Sequence, residues 1–447
     1  MSSPTTAPHD LMVPPSSHRS ARRQPSPDLA KYRQAVASVV EELRELFLSR
    51  PFSDLIDEKG HQYVDLVMEG GGMLGIGLLG YTYALETAGF RFRHIGGASA
   101  GAINALLLAG LRPTDGQPVS ENGLAVMANQ DLYEFVDGKF PAKQLLNSII
   151  HYEGRLRLVR VLWWLFWARS ALRHQLGINP GTRFQKWLSD ALADSDITLL
   201  TELQTRLQER GAAIRLRPNL RTAVSPDEYR TVKLGIITAD ITTQTKVEFP
   251  RMAPMYWREA DQVNPACFVR ASMSIPLFFR PYRVPGVSAI PGISDRWRTL
   301  TGYEGEIPTT AVFVDGGTMS NFPINLFHAS NRVPLAPTFG ARLNPEHREC
   351  QPVECLPGLL KGIFESSRHT LDYDFLARHP DYRQLVAYID TRGFNWLDFS
   401  MPEARKIELF LRGAVAALAF VKTFDWQKYK LFREQLVVSS SEPASAP

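Results

Sequence analysis

The chain has 447 residues, enough to bury a large core, and its 44% hydrophobic and 21% charged residues are the balance of a globular protein. A net charge of +4 is too weak to argue for nucleic acid. The three cysteines, Cys267, Cys350 and Cys355, show no metal-ligand spacing with histidine and no disulfide framework, as expected in a reducing compartment.

Residues 1–27 are rich in Ser, Pro and Thr and read as a disordered tail. Arg19, Arg22 and Arg23 are followed by no apolar stretch, so no secretory signal is readable. The longest apolar run, Val161 to Ala168, falls far short of the roughly 20 residues of a membrane span. The expectation is a cytoplasmic protein, soluble or peripheral to a membrane.

A helical extension is expected over 28–60. Within it Leu29 to Ser49 is amphipathic, with Tyr32, Val36, Val39, Val40, Leu43, Leu46 and Phe47 at three- and four-residue steps. It is expected to brace the main domain, 61–438. That domain opens with a short buried strand, Val64 to Met68, and the glycine turn Gly70-Gly71-Gly72 with Gly75. Consecutive glycines bring bare amides close to a ligand, and beside a helix N-terminus those amides suit negative charge. The helix Ile76 to Ala88 follows, then a second strand and Gly97-Ala98-Ser99-Ala100-Gly101. This G-x-S-x-G elbow exposes a serine oxygen on a strained turn. With the helix Ala102 to Leu111 next, Ser99 falls at a helix N-terminus. An anion cradle and an elbow serine on adjacent strand–helix turns are the parts of an acyl hydrolase.

Residues 120–230 read as a helical insertion. Its oddest stretch, Arg155 to His174, centres on Val161-Leu162-Trp163-Trp164-Leu165-Phe166-Trp167 between Arg155, Arg157, Arg160, Arg169 and Arg173. Rings between cationic ends suit a membrane interface, and a buried cap helix is the alternative. Ile178-Asn179-Pro180-Gly181 reads as a turn, Arg183 to Ala193 as a helix, Thr231 to Asp240 as a strand and Thr245 to Phe249 as its hairpin partner. Phe268 to Ser274 reads as helical up to Ile275-Pro276. Residues 282–309 read as a loop insertion, and Ala311 to Val314 as a buried strand ending at Asp315-Gly316-Gly317. Gln384 to Ile389 is expected to be a strand, Pro402 to Thr423 a helix, and 439–447 a disordered tail. Strands alternating with helices imply an α/β three-layer sandwich around a mostly parallel sheet.

Two rival motifs carry less. Gly75-Ile76-Gly77-Leu78-Leu79-Gly80 spells the dinucleotide fingerprint, but no acid ends the second strand, so Gly77 and Gly80 read as close helix packing. His347, His369 and His379 follow Asp315 in the order of an α/β-hydrolase triad, yet none sits in a small-residue turn after a strand.

The glycine turn, the elbow at Ser99 and Asp315-Gly316-Gly317 together resemble the patatin-like phospholipase family. Ala271-Ser272-Met273-Ser274-Ile275-Pro276, Ala239-Asp240 and Gly413-Ala414-Val415-Ala416-Ala417 agree with it, and the resemblance spans Tyr63 to Phe424. It implies acyl-ester hydrolysis by a Ser-Asp dyad. Ser99 would be the nucleophile and Asp315 the base. Gly70, Gly71 and Gly72 would supply oxyanion amides, with Gly75, Gly97, Gly101, Gly316 and Gly317 supporting the motifs, and no cofactor or metal is implied. The substrate would be a (phospho)lipid at a membrane surface, with room for an activating protein partner or a homo-oligomer. Leu74 departs from the family's usual Arg or Lys, which raises a neutral-lipid lipase or transacylase as an alternative. Arg91, Arg93 and Arg280 are candidate substitutes. A non-catalytic lipid-binding module is the third reading.

Overall fold

The computed structural model describes residues 29–441, apart from 114–116, 152–153, 219, 221–223, 328–330 and most of 344–371. The tail expected over 1–27, together with His347, His369, Cys350 and Cys355, lies outside the described residues.

Among the described residues the central sheet has ten strands. Its frame comprises β1 (Gln62–Met68), β2 (Phe90–Ala98), β4 (Leu234–Asp240), β5 (Thr245–Phe249), β7 (Tyr282–Pro285), β8 (Thr310–Val314), β9 (Thr338–Arg342) and β10 (Val386–Tyr388). The remaining two, Leu55–Ile56 and Arg215–Leu216, are minor edge pairs. In space the frame runs β10-β9-β1-β2-β4-β8-β7, with β5 paired to β4. From β10 to β4 every pairing is parallel, and β8, β7 and β5 pair antiparallel. A separate parallel ribbon joins β3 (Gly177–Asn179) to β6 (Leu277–Phe279).

Helices flank this sheet. α1 (Leu29–Ser49) matches the expected bounds and buries Tyr32, Val36, Val40, Leu43 and Phe47. Tyr32 meets Phe410 and Phe47 meets Phe90, so α1 does brace the main domain. α2 (Gly75–Ala88) is buried on nearly every side, which its apolar circumference requires. It packs against α1 and α11 (Glu403–Thr423). A Cβ on Gly80 would lie 1.9 Å from the Phe410 carbonyl oxygen, and one on Gly413 1.9 Å from that of Gly77. The G-x-G-x-x-G spelling is therefore helix packing. α3 (Ala100–Gly110) lies on β2 and β4.

The insertion is helical, with α4 (Val119–Ala128), α5 (Phe140–His151), α6 (Gly154–Gln175), α7 (Thr182–Ala193) and α8 (Leu200–Ala212). α9 (Ala266–Ser272) precedes the ribbon strand β6.

Four expectations need correction. Gly96 and Gly97 are inside β2 rather than in a turn. Residues 177–179 are a strand, because Gly177 lets the Phe279 backbone approach to where a Cβ would be 2.3 Å from its oxygen. Residues 282–309 hold β7 and a helix, α10 (Ile293–Thr301), whose Trp297 is fully buried against Tyr256 and Tyr303. The last helix, α12 (Trp426–Ser441), runs past the expected boundary at 439.

Candidate active site

β4 places the two candidate residues, Ser99 and Asp315. Its pairing with β5 over Ile236–Asp240 fills one edge of the strand. On the other edge β2 ends with Ala98 opposite Ile237, and β8 arrives antiparallel with Val314 opposite Ala239. The residues that leave the two strands, Ser99 and Asp315, therefore converge at the level of Thr238. Thr238 Oγ1 donates to the Val314 carbonyl at 3.0 Å, and a Cβ on Gly316 would lie 2.0 Å from the Ile237 oxygen, so that position demands glycine.

Ser99 is 3% exposed and adopts φ 50°, ψ −115°, a conformation an L-residue holds only when its surroundings enforce it. Its carbonyl accepts the Ile103 N–H in α3, and its own N–H donates to Ser272 Oγ at 2.9 Å. Ser272 Oγ in turn donates to the Ile237 carbonyl at 2.6 Å. The elbow's small residues are sterically required, since a Cβ on Gly101 would sit 2.3 Å from the Met68 oxygen and one on Gly97 2.6 Å from the Gly101 carbonyl carbon.

Asp315 is also buried, and its Oδ1 accepts the Gly317 N–H at 2.8 Å. Its backbone N–H donates to the Ser274 carbonyl at 2.9 Å. The end of α9 thus holds Ser99 through Ser272 and Asp315 through Ser274. Arg270 clamps that segment by donating to Ser274 Oγ, Pro180 O and Arg280 O, and burial pulls its guanidinium down to about 10.

The glycine turn lies beside the elbow. A Cβ on Gly70 would be 3.1 Å from Ser99 Cβ, and one on Gly75 3.0 Å from Ala100 Cβ. The Gly70 N–H is committed to the Asn321 carbonyl at 2.9 Å. Among the described residues the Gly71 and Gly72 amides have no backbone acceptor. Asn321 also donates to Gly70 O and to Glu69, whose carboxylate accepts from Leu343 N and Arg342. Burial opposes the Arg342 charge, but Glu69 and the hydroxyls of Tyr373 and Tyr388 leave its pKa above the ordinary guanidinium value. Trp396 caps the turn from outside, accepting the Met73 N–H at 2.9 Å.

Ser99 opens on a cavity of about 50 Å³. The walls are apolar and include Met73, Met127, Met273, Ile103, Trp187 and Phe399. Leu74, where a basic residue was expected, is buried in the core.

The three substitute arginines divide. Arg91 and Arg93 start β2, at the far end of the sheet from Ser99. Arg91 donates to Glu86 O and Phe90 O, and Arg93 forms a bidentate pair with Asp65 at 2.9 Å. Neither reaches the site. Arg280 adjoins it, following Phe279 of the cavity wall. His379 packs on Phe375 and Tyr382 ahead of β10, on the outer edge of the sheet and at the end where the parallel strands begin. It is remote from Ser99.

Sequence reading missed Asn321 altogether and quoted Ser272 and Ser274 only as flanking residues. A serine within an apolar helix end was the available signal, but its partners are 173 and 35 residues away.

The model of the family described as patatin-like phospholipase matches residues 66–328, more than half of the chain, a span that holds the glycine turn, Ser99 and Asp315. The chain belongs to the patatin-like phospholipase family. The uncharacterised protein YqhO of Bacillus subtilis (strain 168) is 27% identical over 369 residues, which are 81% of this chain and 100% of YqhO. Among solved structures, VipD from Legionella pneumophila matches at 15% identity and a TM-score of 0.41, covering 84% of this chain and 70% of that one. The heterodimeric ExoU–SpcU complex from the type III secretion system of Pseudomonas aeruginosa matches at 16% identity and a TM-score of 0.33. That match covers 80% of this chain and 51% of the other. With β1 and β9 running in parallel outside the elbow strand and helices on the sheet, the architecture is the mixed α/β fold the family membership implies. Among the described residues, no helix of this patatin-like chain is long and apolar enough to cross a membrane.

Proposed function

We propose that the protein is a serine acyl hydrolase that cleaves fatty-acyl esters of lipids with Ser99 as nucleophile and Asp315 as base. The observation that carries this reading is the convergence of a strained, buried serine and a buried aspartate on one edge of β4, beside a glycine turn. Asp315, with Oδ1 held by Gly317, takes the hydroxyl proton through its other oxygen as Ser99 Oγ attacks the ester carbonyl. The carbonyl electrons move onto oxygen, and the Gly71 and Gly72 amides hold that oxyanion, since the Gly70 amide is engaged by Asn321. Collapse expels the alcohol, which takes the proton from Asp315 and leaves an acyl-Ser99 ester. Water then attacks the ester as Asp315 takes its proton, and Asp315 returns that proton to Ser99 Oγ as the fatty acid leaves. The apolar cavity receives the acyl chain. Its three methionines, with flexible thioether side chains, let the walls adapt to that chain.

A neutral-lipid lipase or transacylase is the second reading. It is favoured by buried Leu74 and by cavity walls that, among the described residues, include no Lys or Arg, Arg280 only adjoining them. In either case the protein meets its substrate peripherally at a membrane surface.

The test is fatty-acid release from mixed phospholipid and triacylglycerol vesicles by the wild type and Ser99→Ala. Release from phospholipid that vanishes in the variant supports a phospholipase, and release from triacylglycerol alone moves the assignment to lipase. No release from either lipid, with vesicle binding kept, sinks the hydrolase reading in favour of a non-catalytic module.

A further inference from the structure

α6 holds five arginines, at 155, 157, 160, 169 and 173, and no Asp or Glu in its 22 residues. It turns aromatic rings to solvent. Trp163 is 57% exposed and Phe166 and Trp167 are each 55% exposed. Their spacing of three and four residues puts them on one face. The Trp163–Trp167 and Phe166–Trp167 centroids are 6.1 and 6.0 Å apart, and the Arg169 guanidinium lies 4.0 Å from the Phe166 ring centre. A cap helix serving only the core would bury these rings. Their exposure as a cluster marks an interaction face.

The ribbon that α6 feeds into supplies an independent observation. Leu176, between α6 and β3, has φ 58°, and Leu277 on β6 has φ 67°. Bulky L-residues seldom adopt this left-handed conformation, and it persists only under constraint. Leu277 pairs with Gly177, so the two leucines are neighbours across the ribbon. Both are exposed, Leu277 at 65%. The strain therefore projects apolar side chains into water and adds nothing to the core. Leu277 lies between Ile275 and Phe279, both of which line the Ser99 cavity. The ribbon's outer edge is thus the outer side of the cavity wall.

We propose that α6 and the β3–β6 ribbon form a docking face for a bilayer rich in anionic lipid. Trp163, Phe166, Trp167, Leu176 and Leu277 enter the boundary between headgroups and acyl chains, and the exposed Arg169 and Arg173 meet lipid phosphates. Docking there brings the cavity wall against the lipid, and this proposal rests on the acyl-hydrolase reading of that cavity. Charge selects the occupant, because five cations without an acid on one helix find their complement in an anionic surface.

The test uses full-length Ser99→Ala, so that turnover does not alter the lipid, sedimented with vesicles of phosphatidylglycerol and phosphatidylcholine or of phosphatidylcholine alone. Binding is expected to the mixed vesicles, to weaken as salt rises, and to fall roughly tenfold or more when Trp163, Phe166 and Trp167 are all changed to alanine. Leu277→Gly is also expected to weaken binding, while its melting temperature holds or rises because glycine relieves the left-handed backbone. A fall in melting temperature with unchanged binding would make Leu277 structural and overturn its part in the face. Wild-type-like binding by the triple variant, or no binding by the parent, overturns the proposal. So does a homodimer seen by sedimentation velocity that the triple variant dissociates. Hydrolysis of a water-soluble short-chain ester, by the chain with Ser99 intact and by Ser99→Ala, tests the underlying reading separately. If neither acts on the ester, the hydrolase reading fails whatever the vesicles show.

Discussion

Around Ser99 the strain is held from inside, whereas along α6 and its ribbon it faces water. The left-handed Ser99 has its N–H taken by Ser272, its carbonyl by Ile103 and its neighbours pressed on Met68 and Asn321. The left-handed Leu277 has an exposed side chain on a two-stranded ribbon outside the main sheet. Strain enforced by buried hydrogen bonds pre-organises a reacting atom. On the docking proposal, strain at the surface serves what binds there. The two regions should therefore respond differently to substitution, the first in rate and the second in binding.

The largest expected effect is at the dyad. Ser99→Ala should reduce ester hydrolysis to background, and Asp315→Asn should lower kcat by about 10³-fold or more, with circular dichroism unchanged. Replacing His347, His369 and His379 together should leave most activity, and a comparable loss there would instead indicate a histidine-dependent triad. Next comes Gly72→Ala, with a fall of about 10²–10³-fold in kcat, since one oxyanion donor shifts. Gly72 has φ +54°, and its new Cβ would lie 2.4 Å from the Trp396 carbonyl oxygen. Ser272→Ala should lower kcat about tenfold with KM kept, and cost about 1–3 kcal/mol of stability in denaturant titration, because the Ser99 N–H loses its acceptor. An unchanged kcat would show that the elbow holds without α9.

The smallest effect is on stability against pH. Asp372 accepts from Ser320 Oγ and Phe322 N–H just beyond Asp315, and burial raises its pKa to about 6. A folded pKa above the ordinary value favours the protonated acid in the folded state. This contribution is full below about pH 4 and is lost as pH rises through 6, on the order of 2 kcal/mol. Melting temperatures of wild type and Asp372→Asn measured from pH 4 to 7 should diverge over that window, with the wild type declining relative to the variant.

Much of the frame was legible in the residues alone. The bounds of α1 and of the hairpin strand Thr245–Phe249 are those their patterning predicts, because burial of one helix face or one strand face is a local, periodic property. The loop reading of 282–309 failed because its Pro and Gly residues outweighed Trp297, whose burial depends on Tyr256 from a distant segment. The short strand at 177–179 exists only because β6 lies alongside it.

For the site, the same division holds. Ser99 and the glycines stood out as candidates because strained turns and close backbone approach demand particular residues at fixed spacings, whereas Asp315 was named as a base only through the family resemblance. What only the tertiary structure decided is which edge of β4 receives both turns, that Asn321 occupies the Gly70 amide, and that Ser272 takes the Ser99 N–H. Those outcomes depend on strand register and on hydrogen bonds between residues tens to hundreds of positions apart, and no local pattern encodes them.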